Sequence, residues 1–288
     1  MEYLTHLGVL AAIYAILALS LNLVVGYVGT ISVTHAAFFG VGAYTVAILS
    51  TRYDVNFFIA LLVSVLLTGL LSLPIGAVLS KFRGDFVALG SVGFNIIIWS
   101  VMLNWQSLTR GPLGIPGIAK PELFGFVFKD SFIFFLLSAL CLLGIYLVAR
   151  YIDRSSFGRA LKAIREDEEA LQVFGYRALQ YKLTIFVIGA GMAAVAGSLF
   201  ASYISFVDAS TFTVNESIFL LSVIILGGLA SNRGAVMGAV ILVLLPEFLR
   251  FIGFPPDIAA QTRQAVYGLM LIILMLYRPQ GLVGEYRL

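Results

Sequence analysis

The chain is short of charge, of cysteine and of histidine, and each shortage closes off a class of function. Only 11% of its 288 residues are charged, well below the roughly 25% of an ordinary soluble chain. The single cysteine, Cys141, excludes an intrachain disulfide and any multi-thiolate metal site. It reads as a small side chain facing lipid or a neighbouring helix. Two histidines and one cysteine offer no nucleophile–base set and no cluster of metal ligands, so no catalytic or metal-binding residue is assigned. The phosphate-cradling pattern GxxxxGK[ST] does not occur, and any nucleotide hydrolysis must come from elsewhere. No nucleic-acid partner is expected.

What the chain has in excess is apolar surface: 60% of residues are hydrophobic and the mean hydropathy is +1.01. A hydrocarbon core of about 30 Å takes about 20 apolar residues to cross as a helix. Apolar runs fall near residues 4–25, 33–50, 57–80, 86–105, 132–150, 183–206, 217–230, 235–252 and 264–277. They are too continuous for membrane strands, which alternate, and helices satisfy their own backbone in lipid. The expectation is an all-α integral membrane protein, a polytopic bundle of about nine transmembrane helices (eight to ten). It forms one domain over residues 1–288 with no separate soluble part. The first run starts almost at Met1 without the basic leader and cleavage site of a secretory signal, and is expected to be retained.

Charge is concentrated in residues 150–182, which hold seven of the eighteen basic residues: Arg150, Arg154, Arg159, Lys162, Arg165, Arg177 and Lys182. If that loop is cytoplasmic, so are Lys81, Arg83, Arg233, Arg278 and Arg287, which makes twelve basic residues inside against six outside. The positive-inside bias then places the N-terminus outside and the C-terminus in the cytoplasm.

Inside the loop, Phe157, Leu161 and Ile164 recur at helical spacing, with Arg159, Lys162 and Arg165 on other faces, which describes a short amphipathic helix. Glu166, Asp167, Glu168 and Glu169 follow. Asp167 is placed to cap a second short helix, with Glu168 and Glu169 at its positive end and Gly175 to end it in a left-handed conformation. Leu171 and Phe174 give it an apolar edge, so the two short helices are expected to be charged outside and greasy inside, a docking knob. A basic amphipathic helix often rests on anionic lipid. Four consecutive acids argue instead for a soluble protein partner.

Residues 26–40, GYVGTISVTHAAFFG, are poor material for a lipid-facing helix. Gly26, Gly29 and Gly40 loosen it, and Thr30, Ser32, Thr34 and His35 can satisfy freed carbonyls. Two readings stay open: a broken or re-entrant element lining a solute path, and a short polar turn. Asn22, Asn95, Asn104, Glu216 and Glu247 are costly in lipid and are expected to face protein or water. Asn22 and Asn95 read first as hydrogen-bonding glue between helices. With Ser32 and His35 they are also the candidate translocation-path residues. Glu247 and Arg250 stand at the spacing of an interfacial pair. Gly189, Ala193 and Gly197, and Gly234 and Gly238, recur every fourth residue and allow close helix approach within the chain or across a subunit interface. Small residues are also simply frequent in membrane helices.

Four separated motifs carry a family resemblance over nearly the whole length: residues 19–45 (LSLNLVVGYVGTISVTHAAFFGVGAYT), 103–118 (LNWQSLTRGPLGIPGI), 156–183 (SFGRALKAIREDEEALQVFGYRALQYKL) and 225–239 (ILGGLASNRGAVMGA). In these residues the chain resembles a permease subunit of the ATP-binding cassette importers for branched-chain amino acids, one member of a permease heterodimer. The resemblance implies that residues 151–182 form a cytoplasmic coupling loop seated on an ATPase. Gly158, Arg159, Arg165, Glu166, Asp167, Glu168, Ala170 and Gly175 would then carry nucleotide-driven motion into the membrane. Glu169-Ala170-Leu171 departs from the family's Glu-Ala-Ala by having Leu in third place. The resemblance further implies a second permease, two cytoplasmic ATPase subunits holding ATP and Mg, and an extracytoplasmic solute-binding protein. No cofactor is expected on this chain. The setting implied is the cytoplasmic membrane of a bacterium or archaeon, and the solute a branched-chain amino acid or a related small polar molecule. A secondary transporter driven by an ion gradient is the alternative, but it needs ionisable residues near the membrane centre, and few lie deep.

Overall fold

Long apolar runs become long helices. The computed structural model describes residues 2–82, 84–123 and 126–251, and from the tail residues 268, 269, 272, 276–278 and 280–284. Helix α1 (Glu2–Leu21) is apolar almost throughout and is continued by a π-helical turn, Asn22–Gly26. After a break come α2 (His35–Tyr53), α3 (Phe57–Leu79) and α4 (Asp85–Asn104). A short helix, α5 (Gln106–Thr109), opens the long connection to α6 (Ser131–Arg154). The charged loop folds as α7 (Ser156–Glu166) and α8 (Glu168–Val173), and the core closes with α9 (Ala178–Ile204), α10 (Val214–Gly227) and α11 (Asn232–Phe251).

The bundle is built around α1, α2 and α9. Of these α2 is the least apolar, yet most of its residues are buried, His35 through Tyr44 without exception. A helix whose surroundings are protein can carry glycine, threonine and serine that a lipid-facing helix would not. Small residues let the backbones touch. A Cβ on Gly197 of α9 would lie 2.1 Å from the Phe39 carbonyl oxygen of α2, and one on Gly42 of α2 would lie 2.5 Å from Ala194 Cα. The second small-residue stripe works the same way, since a Cβ on Gly238 would lie 2.3 Å from the Val223 carbonyl oxygen. Both stripes therefore close helix pairs inside this chain. By contrast α3, α4 and α6 turn Leu66, Leu70, Leu89, Ile97, Leu140 and Leu147 outward, the dress of helices that face lipid.

Among the described residues five helices are long and apolar enough to cross a membrane: Glu2–Gly26, α3, α4, α6 and α9. The helices α10 and α11 were expected to be two separate spans. At 14 residues, α10 is about 21 Å long, short of the about 30 Å core. It turns through 120° into Asn232–Glu247, so the pair adds one apolar span at most. Nine independent spans is thus more than these helices support. The last expected run, 264–277, lies largely outside the described residues. The turn is held by the tail, where the Leu282 and Val283 amides donate to the Leu226 and Gly227 carbonyls, each at 3.0 Å.

Two small antiparallel ribbons sit at one end of the bundle. Strand β1 (Ile115–Pro116) pairs with β4 (Phe206–Val207), and β2 (Glu122–Leu123) pairs with β3 (Phe126–Val127). They join the α4–α6 and α9–α10 connections, and Asn56 reaches the Glu122 carbonyl at 2.8 Å. The start of α1 lies at this end too, with His6 Nδ1 2.8 Å from the Tyr203 hydroxyl. The opposite end carries α7, α8, the break before α2 and the tail.

The glycine contacts make a paired prediction. Gly197→Val forces apart the α2 and α9 backbones and should cost about 1–3 kcal/mol or more, read as a lower unfolding temperature in detergent. Gly93→Val, where a Cβ meets nothing within 4 Å, should leave that temperature unchanged.

Candidate functional site

The helix ending at Gly26 does not run directly into α2. Gly29 adopts φ +77°, a left-handed conformation that suits glycine, and residues 29–34 are not helical. Gly29 and Ile31 are exposed, whereas Ser32, Val33, Thr34 and His35 are buried. So the stretch read as either a broken element or a polar turn begins as a turn and continues as buried, broken backbone. Residues 35–40 are already helix.

Buried backbone outside a helix needs partners, and side chains from two other helices supply them. Ser91 Oγ of α4 accepts from the Val33 amide at 2.8 Å. Asn95 Nδ2, one turn further along α4, donates to the Val33 carbonyl at 3.0 Å and to Ser217 Oγ at 3.2 Å. Ser217, on α10, accepts from the Ala36 amide at 3.0 Å. Ser32 and Thr34 share a hydrogen bond of 2.9 Å between their hydroxyls. Asn95 Oδ1 has no hydrogen-bond partner among the described residues. A cavity of about 40 Å³ opens beside the break, lined by Thr30, Ser32, Ser80 and Lys182 among apolar neighbours. It is large enough for a few waters.

Of the candidate path residues, Ser32, His35 and Asn95 thus come together at the break. Asn22 sits elsewhere, on the π-helical turn, where its Oδ1 accepts from the Ala230 amide at 2.9 Å and its Nδ2 reaches Asn232 Oδ1 at 3.5 Å. It ties α1 to the turn between α10 and α11, where Ala230 holds φ +58°. Ser91 and Ser217 were not singled out from the sequence, because a lone serine in an apolar run carries no signal until its partner is known. Glu216 accepts from the Tyr14 hydroxyl at 2.7 Å. Glu247 accepts from the Tyr3 hydroxyl, and the side chain of its expected partner Arg250 lies outside the described residues.

The loop folds largely as its local chemistry dictates. Ser155 caps α7, accepting from the Gly158 amide at 3.1 Å, and a Cβ on Gly158 would stand 2.2 Å from the Ile152 carbonyl oxygen. Leu161 and Ile164 are buried. Asp167 caps α8 by accepting from the Ala170 amide at 2.9 Å, Glu168 pairs with Lys182 at 2.5 Å, and Gly175 takes φ +86°. Glu166 and Arg159 are exposed, with Arg159 Nη1 donating to the Arg154 carbonyl at 3.2 Å. One expectation needs correction. Leu171 packs against the core, but Phe174 is 79% exposed and Val173 87%. Helix α8 therefore ends in an outward apolar tip rather than an inward edge.

The loop also reaches the break. Arg165 Nη1 donates to the Gly26 carbonyl, and Lys162 Nζ lies 5.2 Å from the Tyr27 ring centroid while pairing with Asp153 at 3.1 Å. A Cβ on Gly29 would come within 2.6 Å of Arg165 Cγ. The guanidinium thus plugs the last turn before the break. This geometry ties α7 to the segment that α4 and α10 clasp.

Comparison with known proteins places the chain in a family. A family model described as branched-chain amino acid transport system permease component matches residues 3–275. The permease protein LivM of the high-affinity branched-chain amino acid transport system of Escherichia coli K12 is 35% identical over 98% of this chain and 70% of its own. A probable LivM of Methanocaldococcus jannaschii is 24% identical over 95% and 91%. LivH of the same Escherichia coli strain is 26% identical over 96% and 92%. No solved structure matches the chain. With the family model spanning nearly all of its length, this multi-pass membrane protein belongs to the permease family of branched-chain amino acid transport systems.

Proposed function

We propose that the chain is the permease subunit of an ATP-binding cassette importer for branched-chain amino acids or a related small polar solute. The observation that carries the reading is the union of two features of one loop. The α8 tip, Val173 and Phe174, stands exposed as a docking knob. Helix α7 beside it grips Gly26 and Tyr27, immediately before the break that leads into α2. A partner that pulls on the knob therefore pulls on the broken segment.

In this reading α7 and α8 lie in the cytoplasm against one of two ATPase subunits, which hold ATP and Mg. The concentration of seven of the eighteen basic residues in 150–182 supports an inside position for that end. The N-terminal end, with Arg52, Arg110, Lys120 and Lys129, faces out and receives an extracytoplasmic solute-binding protein. A second permease completes the path. Likeness to both LivM and LivH of one organism supports the pair. ATP shifts the access of the path only by binding one arrangement of the subunits better than the other.

Arg165 is the positioning residue in this scheme, the link between α7 and the break. The clasp of Ser91, Asn95 and Ser217 keeps residues 33–36 in place while that link moves.

Reconstituted with two ATPases, a second permease and a binding protein, the chain should support solute-stimulated ATP hydrolysis. Uptake by this chain alone, driven by a proton or sodium gradient and indifferent to ATP, would overturn the proposal. Two substitutions test the knob. Phe174→Asp should abolish ATPase docking, and Gly175→Val, which strains a residue at φ +86°, should leave ATP hydrolysis running while transport falls. Phe174→Asp should keep the wild-type unfolding temperature, since α8 buries no residue completely, and Gly175→Val should leave the membrane helices folded because its strain is local to the end of α8.

A further inference from the structure

We infer that the cleft between the loop-side ends of α6 and α11 binds an anionic phospholipid. The cleft encloses about 450 Å³ and is lined by Arg150 and Arg154 of α6, Arg233 of α11 and the backbone-rich edge formed by Ser231 and Gly284. Arg150 and Arg154 stand four residues apart and so share a helix face. Among the described residues no ion pair engages any of the three guanidinium groups. The carboxylate in the cleft, Asp153, is taken by Lys162 at 3.1 Å. Three positive charges from two helices thus converge on one opening, a pattern suited to a phosphate that accepts bidentate hydrogen bonds.

The second observation names the ligand's other half. Tyr146 and Arg233 also line an apolar groove of about 510 Å³, which runs between α6 and α11 past Leu142, Leu143, Val236 and Met237. Leu143 and Met237 are about half exposed on the outside of the bundle. From Arg150 back to Ala139, where the groove ends, is eleven residues of α6, or about 16 Å. Half of a hydrocarbon core of about 30 Å is about 15 Å, one acyl chain. A cationic cradle at headgroup level continuous with a groove one acyl chain long fits an anionic phospholipid. A free phosphate would leave the groove unused, and a soluble protein would reach the cleft but not the groove within the membrane.

Basic residues near a membrane surface each strengthen binding of anionic lipid about fivefold, or about 1 kcal/mol. The triple variant Arg150→Gln, Arg154→Gln, Arg233→Gln should therefore hold phosphatidylglycerol on the order of a hundredfold less tightly. The measurement exchanges the purified full chain into phosphatidylcholine nanodiscs and counts retained phosphatidylglycerol by native mass spectrometry. Wild type should retain it, the Arg→Lys triple variant should retain most of it, and Met237→Trp, which fills the groove and leaves the charges in place, should lose it. The last variant decides the matter should the Gln variant fail to fold. Equal retention in wild type and Met237→Trp, equal holding of phosphatidylcholine and phosphatidylglycerol, or displacement of the lipid by millimolar inorganic phosphate would each overturn the assignment.

Discussion

Backbone that leaves the helix inside a membrane protein must find hydrogen bonds, and the buried residues 32–34 of this chain make that demand at the head of α2. Unsatisfied amide groups in such a place cost several kcal/mol each. The protein meets the demand with Ser91, Asn95 and Ser217, which bridge α4 and α10 to the broken segment. That clasp makes α2 a central, buried helix, although it is the least apolar of the core. It also turns a break into a defined joint, fixed on one side by the clasp and on the other by Arg165.

The rest of the architecture follows from close backbone contact around that joint. Gly42 and Gly197 let α2 and α9 meet, and Gly227, Gly234 and Gly238 let α10 fold back on α11. Asn22 secures the same fold-back to α1 through the Ala230 amide. Hydrophobic burial drives association weakly where lipid is as apolar as leucine, so small residues and hydrogen bonds carry the packing instead. The outward leucines of α3, α4 and α6 then cover the bundle with a surface that lipid accepts.

Much of this was legible in the sequence, and the reasons are local. The apolar runs marked eight of the helices to within about five residues, because each helix is the folded form of one continuous apolar run. Asp167 and Gly175 marked the ends of α8, because caps depend on neighbours in the chain. Distance in sequence hid the remainder. Nothing about Ser91 or Ser217 alone shows that they meet Val33 and Ala36. The fold-back of α10 was read as a span because its apolar run looked like any other, and only the turn at residues 228–231, with Ala230 at φ +58°, reveals its direction. Phe174 was expected inside because helical spacing says which residues share a face and not which way the face looks.

The central claim is mechanical: motion imposed on α7 and α8 reaches the membrane through the Arg165 contact with the Gly26 carbonyl. A charge-assisted hydrogen bond of this kind contributes about 1.5–3 kcal/mol, enough to change coupling by about tenfold or more. The direct test is the amount of solute moved per ATP hydrolysed by the reconstituted complex carrying Arg165→Met, which keeps the chain length and removes the guanidinium. The account predicts that the ratio falls by about tenfold or more while the ATPases stay bound and active. A ratio equal to that of the wild type, with hydrolysis unchanged, would contradict it.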